Sequence, residues 1–213
     1  MELVLHHYWR SSSSWRVRWA LALKGIAYRS HPVDLLKGEQ SDASFVASKS
    51  PMGVVPSLEI DGRALTESMA IIELLEEMHP EPPLLPKVPW RRARVRQLAE
   101  LINSGTQPLQ NLAVMRHRSS EAAEQKAWAR HWIERGLASV EREMGVAAAE
   151  GVEGPYAAGE SITIADLYLV PQLYNARRFD LDLAPYPRLL AAETAALSTD
   201  AAKKSHPDAF KPA

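Results

Sequence analysis

The stretch ELVLHHYWRSSSSWRVRWALALKGIAYRSHPV, residues 2–33, decides the fold. Glu2 to Tyr8 is apolar and suits a β-strand. Ser14 to Lys24 places Val17, Ala20 and Leu21 at helical spacing and stops at Gly25, the residue favoured where a helix ends in left-handed backbone. Tyr28 to Val33 suits a second strand. Strand, helix, strand in this order predicts two parallel strands joined by a right-handed crossover.

Working outward, Val54 to Ile60 and Arg63 to Thr66 flank Asp61-Gly62, a hairpin signal because glycine accepts positive φ. Ser68 to Met78 follows as a helix, with Ser68 suited to the N-cap and Ile71, Leu74, Leu75 and Met78 on one face. The order β-α-β then β-β-α describes a small α/β domain over residues 1–82. Pro80 to Pro89 carries five prolines in ten positions, which neither helix nor central strand tolerates, and 83–89 is taken as a linker. Residues 90–213 predict an all-helical domain: long helices over 90–117 and 120–149, a glycine-bearing loop at 151–159, then a helix opened by the capping pair Thr163 and Asp166 and kinked at Pro171, and a last helix from about Pro187. Ser205 to Ala213 reads as loosely packed.

Of 213 residues, 25 are Lys or Arg and 26 are Asp or Glu, a formal net charge of −1 that argues against a nucleic-acid binder held by bulk positive charge. The composition, 46% apolar and 24% charged, is that of an ordinary globular chain. No apolar run approaches the roughly 18 residues that span a bilayer, and the opening residues lack a basic flank and apolar stretch, so no membrane partner and a cytoplasmic location are expected. Cysteine is absent, which removes disulfides, cysteine metal sites and cysteine nucleophiles. His6 and His7 would point to opposite faces of a strand, no His-x-x-x-His spacing occurs, and no metal is expected. Phosphate-binding and dinucleotide glycine motifs are missing too. The basic run Arg91 to Arg96 fits a solvated helix face or a subunit contact.

Ser11 to Ser14 fall between the first strand and the first helix, where backbone N–H groups and the positive helix end face an anionic ligand. A serine run can equally be a polar turn with a cap. Val55-Pro56 could leave a backbone free to pair with a bound peptide, and Glu67-Ser68 opens the next helix with a carboxylate for an ammonium and N–H donors for a carboxylate. The three loops together could hold a small zwitterionic peptide.

Arg10 to Arg18 followed by Ala20 to Gly25 resembles the signature of the zeta class of glutathione transferases, the maleylacetoacetate isomerase family. The likeness continues through 51–56, 67–73, 107–111, 169–172 and 205–207 and so spans nearly the whole chain. It implies a thioredoxin-like N-terminal domain binding glutathione, a C-terminal helical bundle contributing the pocket for a small dicarboxylate substrate, and a homodimer. It also implies that Ser11 hydrogen-bonds the glutathione sulfur, with Ser12 and Arg10 in the catalytic group. Ser12, Ser13, Ser14, Trp15, Arg16, Gln40, Val55, Glu67, Ser68, Gln107 and Asn111 match further glutathione contacts, and Arg10 and Arg178 match holders of substrate carboxylates. Two positions depart from the family pattern: Ser13 replaces its cysteine, and Glu67 stands where many members carry glutamine.

The implied reaction is the cis–trans isomerisation of maleylacetoacetate to fumarylacetoacetate in aromatic amino-acid catabolism, by reversible addition of the glutathione thiolate. A free thiol has a pKa of about 8.5, and a hydroxyl donor plus a helix N-terminus lower it. With no cysteine in the chain, the sulfur must arrive on a bound molecule. Arginine forks suit the substrate carboxylates and the charge that develops, Arg177 being a further candidate beside Arg178, although both could simply compensate a helix C-terminus. Maleylpyruvate as substrate, transfer to α-haloacids, and a non-catalytic glutathione-binding module are the alternatives; Ser13 disfavours reductive dehalogenation, which relies on the cysteine it replaces.

Overall fold

The computed structural model describes residues 2–212, which form two compact units, one of residues 2–83 with 199–212 and the other of residues 84–198. In the first, β1 (Leu3–His7), α1 (Ser12–Leu23), β2 (Arg29–Pro32), a short α2 (Ala43–Ser48), β3 (Ser57–Ile60), β4 (Arg63–Thr66) and α3 (Ser68–Met78) follow in sequence. The strands form one sheet in the order β2-β1-β3-β4. β1 and β2 are parallel, with His6 opposite His31, as a strand–helix–strand opening requires. β3 runs antiparallel to both β1 and β4, with Ser57 opposite His6 on one side and Thr66 on the other. The tight turn at Asp61-Gly62 sits at positive φ in both residues.

Leu5, Val17, Leu21, Leu58, Ile71, Ile72 and Leu75 form the interior of this unit. The buried face of α3 is rotated from the expected one. Ile72 and Glu76 turn inward and Met78 is 40% exposed, because Glu76 reaches the Lys24 ammonium at 2.7 Å. The N-cap of α3 is Glu67, one residue before the expected Ser68. Residues 199–212, expected in the helical domain, instead lie with the sheet, and the tail from Ser205, expected to be loosely packed, is held there: α9 (Asp200–Ser205) packs on α1, and Ala202, Ser205 and Pro207 are buried.

In the second unit, α4 (Pro89–Asn103), α5 (Leu112–Arg118), α6 (Ala122–Ala149), α7 (Ile164–Arg178) and α8 (Pro187–Leu197) are all helical. The single helix expected over 90–117 is broken. α4 ends at Asn103, and a 3-10 turn at Gln107–Gln110, opened around Pro108, redirects the chain into α5. Buried Thr106 donates its hydroxyl to Leu101 O at 2.8 Å and lies so close to Gly136 of α6 that a Cβ there would sit 2.0 Å from its Oγ1. α7 is buried along most of its length and packs against α4 and α8, with Pro171 inside it. The expected capping pair is formed: Asp166 accepts from Thr163 N–H at 2.8 Å and from its hydroxyl at 3.1 Å, and its other oxygen accepts from Ala157 N–H at 2.8 Å. Burial pushes this carboxyl up to about 6, against the pull of those donors.

No described helix is long and apolar enough to cross a membrane.

Candidate functional site

Sheet topology gathers the expected residues of the first unit. The end of β1, the start of β3 and the end of β4 meet through the pairs His6 with Ser57 and Ser57 with Thr66. Tyr8 to Ser11, Val55-Pro56 and Glu67-Ser68 therefore emerge at one edge, joined by the loop after β2, where Val33 N–H donates to His7 O at 2.8 Å. This is the carboxyl edge of the parallel pair, where α/β sheets bind ligands.

Ser11 is the N-cap of α1, and its Oγ accepts from Ser14 N–H at 3.2 Å. That bond uses an oxygen lone pair and leaves the hydroxyl proton free to donate elsewhere. Ser12 and Ser13 follow as the first helical residues, half-buried, with N–H groups that the helix cannot satisfy. Nothing acidic lies in this first turn, so the positive helix end is uncompensated. Arg10 stacks its guanidinium 5.4 Å from the centre of the Trp9 ring.

Three residues expected among the ligand contacts are turned inward. Ser14 is buried and accepts from Tyr8 N–H at 3.4 Å. Trp15 is buried with its indole N–H on Ser205 Oγ at 3.2 Å. Arg16 is buried too and donates to Ser68 Oγ at 3.2 Å, tying the start of α1 to the start of α3. Their side chains brace the turn, because a helix whose face packs on a sheet presents only its first residues at the rim.

The Val55–Pro56 peptide is cis. Val55 precedes the ladder, which opens at Ser57, so its backbone N–H and C=O take no part in the sheet, while its side chain packs with Tyr8 and Val33. Glu67 is exposed and holds φ +67° and ψ 112°, a conformation that a non-glycine side chain rarely adopts and that turns the chain sharply into α3. Gln40 is half-buried in a 3-10 turn, with its Oε1 covered and unpaired. Its backbone carbonyl approaches Gly53 so closely that a Cβ there would sit 2.9 Å away, and Gly53 has φ +60°. Gln40 is thus fixed against the loop that carries Val55.

The remaining expected residues belong to the second unit. Gln107 is half-buried in the 3-10 turn, and Asn111 caps α5 by accepting from Ala113 N–H at 3.1 Å, leaving its amide NH2 to donate. Gln110 and Gln172 exchange hydrogen bonds of 2.7 and 3.3 Å, fixing this turn to α7. Arg178, six residues on from Gln172, is exposed and donates to Asn175 Oδ1 at 2.9 Å. Arg177 is engaged elsewhere: both of its terminal nitrogens meet the buried Glu193 carboxylate at 2.6 Å, which raises its pKa and uses up the fork a substrate would need.

Sequence reasoning missed Arg18, which is buried in α1 and grips the carbonyls just ahead of Ser11, and the close pair Gly136 and Thr106. A charge inside an otherwise apolar helical stripe was the available signal for the first; the second left none.

The edge suits a thiol peptide carrying carboxylates. It offers a hydroxyl donor, free N–H groups at a positive helix end, an unpaired backbone segment at Val55 and an anionic side chain at Glu67. Among the described residues, no group of three or more His, Asp or Glu is placed to hold a metal ion.

Comparison with known proteins agrees with this geometry. A family model described as the N-terminal domain of glutathione S-transferase matches residues 5–83. Probable maleylacetoacetate isomerase 2 of Drosophila melanogaster is 46% identical over 205 residues, 96% of this chain and 87% of that protein. The crystal structure of maleylacetoacetate isomerase from Anaeromyxobacter dehalogenans with glutathione bound in its active site is 51% identical, covers 97% of this chain and 95% of that one, and has a TM-score of 0.85. The same relative is also known with dicarboxyethyl glutathione and citrate bound there. A bacterial zeta-class maleylpyruvate isomerase is 38% identical over 98% of both chains, with a TM-score of 0.92. The cap at Ser11, the sheet edge it shares with Val55 and Glu67, and these full-length likenesses agree: the chain belongs to the maleylacetoacetate isomerase family, the zeta class of the glutathione transferases.

Proposed function

We propose that this protein is a glutathione-dependent isomerase that converts maleylacetoacetate to fumarylacetoacetate. The observation that carries the reading is Ser11 at the N-cap of α1, its hydroxyl proton free beside unsatisfied helix N–H groups, in a chain without cysteine. Bound glutathione supplies the thiolate that adds to the conjugated cis double bond, permits rotation about the resulting single bond, and leaves again.

The chain's residues make that chemistry accessible at neutral pH. Ser11 donates its hydroxyl proton to the sulfur, and the α1 N-terminus favours negative charge there, so the bound thiol ionises below about 8.5. Ser12 and Ser13 present their N–H groups at the same place. Val55 pairs its backbone with the peptide, Glu67 meets its ammonium, and the Ser68 end of α3 meets its carboxylate, with Gln40, Gln107 and Asn111 as further amide contacts. Ser14, Trp15 and Arg16 act from behind this surface. Arg10 and Arg178 hold the substrate carboxylates and balance the charge that appears on its oxygen. The dicarboxyethyl glutathione held by the Anaeromyxobacter relative supports a dicarboxylate electrophile.

The family resemblance further supports a homodimer acting in aromatic amino-acid catabolism in the cytoplasm, with glutathione bound by the first unit. Sedimentation checks the dimer. The activity test combines purified protein, maleylacetoacetate and glutathione under ultraviolet absorbance. Turnover that requires glutathione is expected; no turnover, or equal turnover without it, overturns the reading. Maleylpyruvate is the second substrate to assay, favoured by the TM-score of 0.92 to a maleylpyruvate isomerase.

A further inference from the structure

Arg18 is 1% exposed, and among the described residues no carboxylate hydrogen-bonds or ion-pairs with it. Burial lowers its pKa only to about 10, so the guanidinium stays charged at neutral pH. Its donors go instead to Tyr8 O at 3.3 Å and Trp9 O at 3.0 Å in the β1–α1 loop, to His7 Nδ1 at 3.1 Å, and to Ser205 O at 3.1 Å at the end of α9. The ring of Phe210 covers its face at 4.6 Å. A cation removed from water needs these dipoles and this π-face where no described carboxylate pairs with it.

Tyr8 O is the decisive atom. It accepts from Arg18 and also from Ser11 N–H at 3.1 Å, so one oxygen joins the buried cation to the residue placed against the sulfur. Trp9 O, the second loop carbonyl held by Arg18, belongs to the residue on which Arg10 stacks. Residues 205–210 complete the clamp from the other side: Ser205 Oγ takes the Trp15 indole N–H at 3.2 Å, His206 meets the Trp15 ring edge-on at 4.9 Å, and Phe210 meets His7 edge-on at 5.3 Å.

We infer that Arg18, held by residues 205–210, is a positioning residue that sets the register of Ser11 and Arg10, so that this segment tunes the acidity of the bound thiol without touching it. The inference rests on the proposed thiolate chemistry. Loss of the Phe210 face lets water reach the guanidinium, the two loop carbonyls relax, and the Ser11 hydroxyl leaves its line to the sulfur.

The test titrates glutathione bound to Phe210→Ala, Phe210→Leu and Phe210→Tyr variants by thiolate absorbance, alongside rate against pH. For Phe210→Ala and Phe210→Leu the titration midpoint rises by about one unit and kcat at pH 6.5 falls about tenfold, while the glutathione Kd changes less than about threefold and the rates rejoin the parent at high pH. Phe210→Tyr, which keeps the aromatic face, restores the parent midpoint. If Phe210→Ala does not fold, Phe210→Leu carries the test. Variants that lose thermal stability but keep the parent midpoint and pH profile overturn the positioning role alone. A parent that binds glutathione with no thiolate overturns the proposed chemistry, and this inference with it.

Discussion

Arg16 reaches across from α1 to the hydroxyl of Ser68 at 3.2 Å, so the first turns of two helices share a buried hydrogen bond. Both helices start at the sheet edge that carries Ser11 and Glu67, and the bond fixes the spacing between the two helix ends that the proposed function assigns to a sulfur and to a carboxylate. A tripeptide spanning two helix N-termini is read by that spacing as much as by any single contact.

Ser11 has two duties that substitution separates. Ser11→Ala loses both the cap and the donor: stability falls by about 1 kcal/mol, the bound thiol titrates about one unit higher, and kcat drops at least tenfold. Ser11→Asp keeps an acceptor for Ser14 N–H but places negative charge beside the sulfur, so stability holds while activity falls further. Thiolate absorbance together with urea denaturation reads the two effects apart, and equal activity in both variants contradicts the assignment.

Gly53→Ala puts a Cβ 2.9 Å from Gln40 O at φ +60°, a clash with backbone that no rotamer relieves. A stability loss of about 1–3 kcal/mol is expected, with several-fold weaker glutathione binding as the Gln40 turn moves. Calorimetric titration with glutathione checks it. Unchanged affinity removes Gln40 from the site.

The adjacent arginines of α7 should behave differently. Arg178→Ala raises KM for the dicarboxylate about tenfold with little change in melting temperature. Arg177→Ala strands the buried Glu193 carboxylate, costs about 1–3 kcal/mol of stability, and leaves KM near that of the parent. The reverse pattern exchanges their roles.

His7 is held neutral. Arg18 can only donate, so His7 Nδ1 accepts, and Nε2–H points to Ser30 Oγ at 2.7 Å. Burial first, then the charges of Arg18, His31 and His6, lower its pKa from 6.5 to about 3. The folded state therefore binds fewer protons than the unfolded one between these values. The stability this site contributes is full above pH 6.5 and is lost as pH falls toward 3, at up to about 1.4 kcal/mol per pH unit. His7→Asn keeps an acceptor for Arg18 and removes the titration, so between pH 7.5 and 4.5 it should lose about 2 kcal/mol less than the parent in urea unfolding. Equal losses refute the assignment.

Asp166→Ala releases Ala157 N–H, Thr163 N–H and the Thr163 hydroxyl at once in a buried place. A loss of about 2–4 kcal/mol follows, seen by calorimetry, with the loop at 154–159 gaining rapid hydrogen exchange. The ionisation runs opposite to that of His7. A carboxyl raised to about 6 holds its proton better when folded, so its contribution declines as pH rises from about 4 to about 6.

What was legible in the chain was local. The β1–α1–β2 crossover, the Asp61-Gly62 hairpin and the Thr163 and Asp166 cap follow from neighbouring residues, and each formed. The break after Asn103 is marked in the sequence by Gly105 and Pro108, whereas the contact of Thr106 with Gly136, thirty positions on, leaves no local mark. α2, six residues long, has too few positions for a period. Of the candidate site residues, Ser11, Val55 and Glu67 are neighbours in space because strand order brings their loops to one edge, a relation that the strand–helix–strand and hairpin patterns already imply. The meeting of Arg18 with Phe210 joins sequence positions almost a chain length apart and leaves no local signal, and the motif at Ser14 to Arg16 does not say that their side chains face inward.

The unit that carries Ser11 is assembled from two separate stretches of chain, 2–83 and 199–212, with 84–198 between them in sequence. On the ribosome its sheet emerges before α9, so Arg18 must wait for Ser205 and Phe210. Synthesis thus runs through the whole of 84–198 before the buried guanidinium meets its last partners, and the first unit closes only after the second has been made.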